Sequence, residues 1–223
     1  MCGILGIIGS NLDENSLWIK KNISKLNHRG PDNQNIWISK DKFGNLGHTR
    51  LSIIDLSKKN NQPLQDLKAN VCISFNGEIY NFLELKKELI NHGYFFETNG
   101  DTEVILKSYI QWGKECFEKF QGMFALCIFD QKKNKVFLLR DQYGEKPLYY
   151  SFDGNQLKFG SELKIFLDTK SKVNLKNLNK FFYNGFVKKE SLINNIKQVQ
   201  PGTFLEFEYL KKSLKSEIFW RIP

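Results

Sequence analysis

Residues 123–161 read MFALCIFDQKKNKVFLLRDQYGEKPLYYSFDGNQLKFGS. Four apolar runs, MFALCIFD, KVFLLR, LYYSF and QLKFGS, follow one another, punctuated by KKN and DG. Runs rich in branched and aromatic residues between turn signals read as strands. Asp153-Gly154 between two such runs is a hairpin signal. The four look like consecutive hairpins. Strands that adjoin strands argue for antiparallel sheets covered by helices and against a parallel βαβ sheet, so the fold class is α+β.

Upstream, GILGII at 3–8 reads as a buried strand. Leu12, Ile19, Ile23 and Leu26 fall at helical spacing, which predicts a helix over 12–26 with Asn11 or Asp13 as its cap. A loop, HRGPDNQ, occupies 28–34, and strand-like stretches follow at 35–38 and 46–54. VCISF at 71–75 reads as a central strand ending at the turn signal Asn76-Gly77. Asn81 with Glu84 forms a capping-box pattern for a helix that Gly93 ends. Asp101 is the expected cap of the next helix, which stops near Gly113. Short and long helices are expected at 162–167 and 175–184, and a turn at Pro201-Gly202.

The 223 residues suffice for one large domain with a core. A formal charge of +9 raises the question of nucleic acid, but the lysines come in dispersed pairs with no aromatic-interleaved basic stripe. No run is long enough to cross a bilayer, and the N-terminus lacks a basic n-region, so the expected location is the cytoplasm. Cys72 and Cys127 lie in apolar runs and read as buried small side chains, as does Cys116. His28, His48 and His92 fit no metal-binding spacing.

Cys2 differs. A small second residue favours removal of Met1, which would leave a thiol and a free α-amine on one residue. The amine, with a pKa of roughly 7.7–8.0, can accept the thiol proton, and the thiolate is the nucleophile. Alone this signal is weak. Acyl transfer also needs donors aimed at the oxyanion, and the Asn76 amide with the Gly77 N–H could supply them, although on local sequence alone a plain turn is the commoner explanation of Asn-Gly. Arg50 could hold a carboxylate in bidentate fashion. Asp101 could accept from an α-ammonium group.

The segments MCGILGIIG, NHRGPDNQ, GHTRLSIIDLS, QPL, FNGEIYNF, NGDTEVIL, FQGMFALCIFD, RDQYGEKPLYY and FGSELK, in this order, resemble the class II glutamine amidotransferases. More narrowly, they resemble the N-terminal glutaminase domain of glutamine-dependent asparagine synthetases. The resemblance implies an N-terminal-nucleophile hydrolase fold, a four-layer αββα sandwich of two antiparallel sheets. It implies Cys2 as nucleophile, its α-amine as base, and Asn76 with Gly77 as oxyanion hole. It gives Arg50 to the glutamine α-carboxylate and Glu78 and Asp101 to the ammonium side. The backbone of Leu51, Ser52, Ile53 and Ile54 lines the pocket, and Tyr80 and Asn81 complete NGEIYN. Arg29, Gly30, Pro31 and Asp32 are expected to border the site.

The same resemblance divides the chain into an amidotransferase domain over 2–202 and the start of a linker over 203–223. The linker would lead to an ATP-dependent synthetase domain, whose SGGxDS-like loop does not occur here. No cofactor is expected for the glutaminase half, and ATP with Mg only for the synthetase. L-Glutamine and that C-terminal domain are the expected partners, a homodimer stays open, and nucleic acid and membrane are not expected. The ammonia acceptor is aspartate, giving asparagine, or a carboxylated sugar of surface-polysaccharide synthesis. The rivals are a non-catalytic relative, a nucleic-acid binder resting on charge alone, and a hydrolase of another amide.

Overall fold

A computed structural model describes residues 1–9 and 12–221, except for the side chain of Leu12. The elements in chain order are β1 (Gly3–Ile8), α1 (Leu12–Ile23), β2 (Asn33–Ile38), β3 (Gly44–Arg50), β4 (Leu64–Asp66), β5 (Val71–Ile79), α2 (Phe82–Asn91) and α3 (Asp101–Trp112). They continue with β6 (Gly122–Asp130), β7 (Lys135–Arg140), β8 (Tyr149–Phe152), β9 (Leu157–Gly160), α4 (Leu175–Asn184), β10 (Lys197–Gln198), β11 (Thr203–Glu208) and β12 (Ser213–Ile218). Asn11, a candidate cap for α1, lies outside the described residues; Asp13 falls within the first turn.

The strands form two antiparallel sheets, in the orders β10-β8-β9-β1-β3-β2 and β12-β11-β7-β6-β5-β4. Period-two alternation gives each sheet two faces. In β1, Leu5 and Ile7 pack on Ile19 and Ile23 of α1, while Ile4 and Ile8 face the other sheet. In β5, Val71, Ile73 and Phe75 pack on Leu85 and Leu89 of α2 and Val104, Ile105 and Tyr109 of α3. Cys72 joins Cys127, Phe129, Leu138 and Phe159 between the sheets. Helices therefore cover both outer faces, which makes the four-layer αββα sandwich. Among the described residues no helix is long and apolar enough to cross a membrane.

Several local expectations change. The four strands of 123–161 are two hairpins rather than four in succession: β6 pairs with β7 in one sheet and β8 with β9 in the other. Residues 141–148 cross between the sheets. β5 does not end at Asn76-Gly77; Asn76 pairs with Ala125 and Gly77 with Phe124, and the strand runs on to Ile79. Gly77 is needed there because a Cβ would collide with the carbonyl oxygen of Met123 on β6. Asn81 precedes α2, but its side chain does not cap it. Its amide instead donates to the Lys119 carbonyl at 2.9 Å and accepts from the Gln121 N–H at 3.1 Å. Gly100, not Asp101, is the cap residue of α3. The helix expected at 162–167 is a single short turn over Leu163–Ile165. α4 matches its expected bounds, capped by the Asn174 side chain and ended by Gly185 at φ 74°.

Residues 203–223, expected as the start of a linker, contain a hairpin of the second sheet. β11 pairs with β7 as well as with β12, and Phe204, Leu205 and Phe207 are buried. The pattern TFLEFE alternates, and its apolar residues complete the core.

Candidate active site

β1 begins directly after Cys2, and Gly3 pairs with Thr49 near the end of β3. This register sets Cys2 beside the residues that leave β3. Its Sγ accepts from the Leu51 N–H at 3.4 Å and lies 3.7 Å from the Leu51 carbonyl. The carbonyl of Cys2 accepts from Arg29 Nε at 2.9 Å, and Arg29 Nη1 pairs with Glu162 at 3.0 Å. Burial pushes the Cys2 thiol above its ordinary range, against the pull of the Leu51 N–H, the chain's terminal ammonium and Arg50. A raised thiol needs a base that can take its proton.

The HRGPD loop is built into the backbone behind this residue. The Asp32 N–H donates to the Arg50 carbonyl at 2.9 Å, and Asp32 Oδ2 accepts from the Ser52 N–H at 2.7 Å. Gly30 lies so close to the Thr49 carbonyl that a Cβ could not be accommodated.

Cys2 lines a pocket of about 130 Å³ with Met1, Arg50, Leu51, Ile53, Ile54 and the Phe75–Glu78 end of β5. Asp101, Thr102, Met123 and Lys146 also border it. The volume is well below the roughly 300 Å³ at which drug-sized pockets begin and suits one small metabolite. Asn76 is 1 % exposed, and its Nδ2 has no hydrogen-bond acceptor. Buried polar atoms are nearly always paired, so an orphan in a pocket marks a place for a ligand atom.

Arg50 is buried, and the loop after β3 holds its guanidinium. Nη1 donates to the Ser57 carbonyl at 2.9 Å and to Asn61 Oδ1 at 2.6 Å, and Nη2 donates to the Asp55 carbonyl. Among the described residues no acceptor is found for Nε. Asp101, the first residue of α3, accepts from the Ile79 N–H at 3.0 Å and so ties that helix to the end of β5. Burial, assisted by the charge of Glu78, raises its carboxyl to about 6. The pocket thus holds cations and carboxylates at once, complementary to a small zwitterion.

The structure brings Cys2, Arg50, Leu51, Ile53, Ile54, Asn76, Gly77, Glu78 and Asp101 to one pocket. Ser52 is turned to the HRGPD loop, Tyr80 is exposed, and Asn81 braces the neighbouring strand. Sequence reasoning missed Asn60, Gln62, Thr102 and Lys146. Gln62 accepts from the Phe75 N–H at 2.6 Å and donates to Thr102 Oγ1 at 3.3 Å, which pins the loop to β5 and α3. The QPL segment contained that signal; nothing local marks Asn60 or Lys146.

The family pattern of the glutamine amidotransferase domain matches residues 1–220. A putative glutamine-hydrolysing asparagine synthetase 2 of Methanocaldococcus jannaschii is 39% identical over 249 residues, covering 100% of this chain and 47% of the relative. Glutamine-hydrolysing asparagine synthetase 3 of Bacillus subtilis is 33% identical over 230 residues, covering 100% of this chain and 37% of the relative. The chain therefore spans less than half the length of these relatives. Among solved structures, the glutamine phosphoribosylpyrophosphate amidotransferase of B. subtilis complexed with ADP and GMP superposes with a TM-score of 0.73 at 21% identity. It covers 98% of this chain and 49% of that one, a likeness of fold. With the sandwich and the family match in agreement, the chain belongs to the glutamine amidotransferase domain family.

Proposed function

We propose that Cys2 attacks the side-chain amide of L-glutamine and that the chain releases L-glutamate and ammonia. The carrying observation is the Cys2 thiol and the unpaired Asn76 Nδ2 in one pocket that also holds Arg50 and Asp101. In this reading removal of Met1 frees the Cys2 α-amine, which accepts the thiol proton. Sulfur bonds to the amide carbon, and the oxyanion takes hydrogen bonds from Asn76 Nδ2 and the Gly77 N–H. The C–N bond breaks, the nitrogen leaves with the transferred proton as ammonia, and a γ-glutamyl thioester remains. Water cleaves the thioester to glutamate and restores the thiol. Arg50 takes the α-carboxylate, and Asp101 with Glu78 takes the α-ammonium.

Ammonia would pass to an ATP- and Mg-dependent domain of the longer protein, with aspartate as acceptor and the cytoplasm as location. The glutamine-hydrolysing asparagine synthetase activity named for the relatives supports aspartate as acceptor.

The test is ammonia and glutamate release from glutamine by the purified chain, with intact mass reporting the N-terminus and Cys2→Ala as control. Release that persists in Cys2→Ala defeats the reading. For the acceptor, the longer protein with ATP, Mg and glutamine is expected to convert aspartate to asparagine; a product made only from a sugar acid would replace that assignment.

A further inference from the structure

Lys146 has no task in the reaction just described, yet it lines the same pocket. It is 7 % exposed, and among the described residues no carboxylate forms an ion pair with it. Burying an ammonium group without a counter-charge is costly. The turn that carries it is well determined. The Asp141 carboxylate accepts from the backbone N–H groups of Phe124, Tyr143, Glu145 and Lys146, at 2.9–3.2 Å. This cage sends the Lys146 side chain into the pocket.

Its Nζ lies 3.5 Å from Met1 Sδ. The same sulfur lies 4.0 Å from Arg29 Nη2, and Arg29 Nε donates to the Cys2 carbonyl. Two cations thus bracket the sulfur of Met1, the residue whose carbonyl carbon is bonded to the Cys2 nitrogen. Once Met1 is gone, that nitrogen is a terminal amine in their field. The charged groups facing it can be named. Arg29 is balanced by Glu162, which also pairs with His28 and Lys164. Arg50 is held by neutral carbonyls and an amide. Asp101 and Glu78 line the pocket from α3 and β5, and Asp101 keeps its proton up to about pH 6. Among the described residues neither Arg50 nor Lys146 forms an ion pair, but Arg50 has three oxygen acceptors, whereas Lys146 has only the Met1 sulfur.

We infer that Lys146 is a positioning residue: its unpaired ammonium keeps the Cys2 α-amine neutral, and so able to accept the thiol proton, at physiological pH. The inference rests on the proposed role of that amine as base. A nearby like charge disfavours protonation, so the amine should titrate below its usual roughly 7.7–8.0.

The experiment uses the chain with Met1 removed, verified by intact mass, and compares wild type with Lys146→Met and Lys146→Arg. In Lys146→Met the acid limb of kcat/KM for glutamine is expected to move up by about one pH unit. That makes it about four- to sixfold slower at pH 7, with recovery near pH 9. Lys146→Arg keeps the wild-type limb. A uniform loss with an unmoved limb, or a change in KM alone, overturns the inference. NMR titration of the α-amine in cysteine-labelled protein reads the same shift without turnover. An amine pKa equal in wild type and Lys146→Met overturns it even if the isolated domain releases no ammonia, an outcome that bears on the proposed function separately. If Lys146→Met fails to fold, Lys146→Gln takes its place in both measurements.

Discussion

The two halves of β5 are one strand with the same partner, β6, and opposite chemistry. Along Val71–Phe75 the side chains are buried among apolar neighbours, or, like Ser74, donate to a carbonyl of the facing sheet, here Gly47 at 3.2 Å. Asn76 is still buried, Gly77 and Glu78 are half-buried, and here polar satisfaction fails. Asn76 Nδ2 has no acceptor, Asp101 alongside holds its proton to about pH 6, and Lys146 across the pocket lacks a carboxylate. Packing completes the first half; the second half is left to be completed by a ligand. The difference teaches that burial alone does not distinguish core from site: at this pocket an unpaired donor, a raised carboxyl and an unpaired cation come together, whereas orphaned atoms such as His48 Nδ1 and Ser108 Oγ lie outside its lining.

Substitutions sharpen that contrast. Cys2→Ala should lower glutamine turnover by more than about 10⁴-fold and leave the melting temperature unchanged; a large loss of stability would make Cys2 part of the core. Phe129→Ala should do the reverse. Phe129 is fully buried between the sheets against Trp37 and Tyr209, with ring centroids 5.3 Å away in each case. Denaturant titration should show a loss of about 3–5 kcal/mol. Asn76→Ala separates the two halves directly. It should cut kcat by about 10²–10³-fold, the usual effect of deleting one oxyanion donor. Its stability should hold or rise, because an unpaired buried donor is removed. A stability loss on the scale of Phe129→Ala would show that Asn76 belongs to the packed half.

The packed half was readable in sequence because its signals are local. The branched and aromatic apolar runs VCISF and FALCIF mark the strands, and helical spacing marks α2 and α3. The other half was readable only through motifs. Asn76-Gly77 looks like a turn because the demand for glycine comes from a neighbouring strand: the Met123 carbonyl stands where a Cβ would be. Asn81 looks like a helix cap, but Lys119 and Gln121, about 40 residues on, take its amide. The linker expected from Thr203 onward is a hairpin because β7 offers a free edge, which no local window contains. Lys146 lies in the RDQYGEKPLYY segment, but nothing local gives it a role; its position depends on the Asp141 cage and on where β1 begins.

The smallest net effect tests the contrast most finely, because it joins one group from each side. His48 sits between the sheets, fully buried, and its Nε2 donates to the Phe75 carbonyl at 3.0 Å. Burial lowers its pKa to about 4. The folded state therefore refuses a proton that the unfolded chain accepts, and stability is lost as pH falls from about 6.5 through 4. Asp101 has the opposite sign. Its folded-state pKa of about 6 exceeds the ordinary 3.8, so its contribution is full below about pH 4 and lost as pH rises through 6. Each is worth about 3 kcal/mol by the conversion of 1.36 kcal/mol per unit, and across pH 4–6 the two should nearly cancel. His48→Gln keeps a donor for Phe75 and should expose the Asp101 slope: stability that falls as pH rises from 4 to 6. Asp101→Asn should expose the His48 slope, with stability that falls as pH drops. Urea titrations at fixed pH read both, and flat profiles in both variants would mean that these groups do not titrate in this window. Glutamine, added to a Cys2→Ala background to prevent turnover, then distinguishes core from site. A bound ammonium would lower the Asp101 pKa and flatten the slope seen in His48→Gln, whereas the His48 slope in Asp101→Asn, set by the packed half of the strand, should not respond.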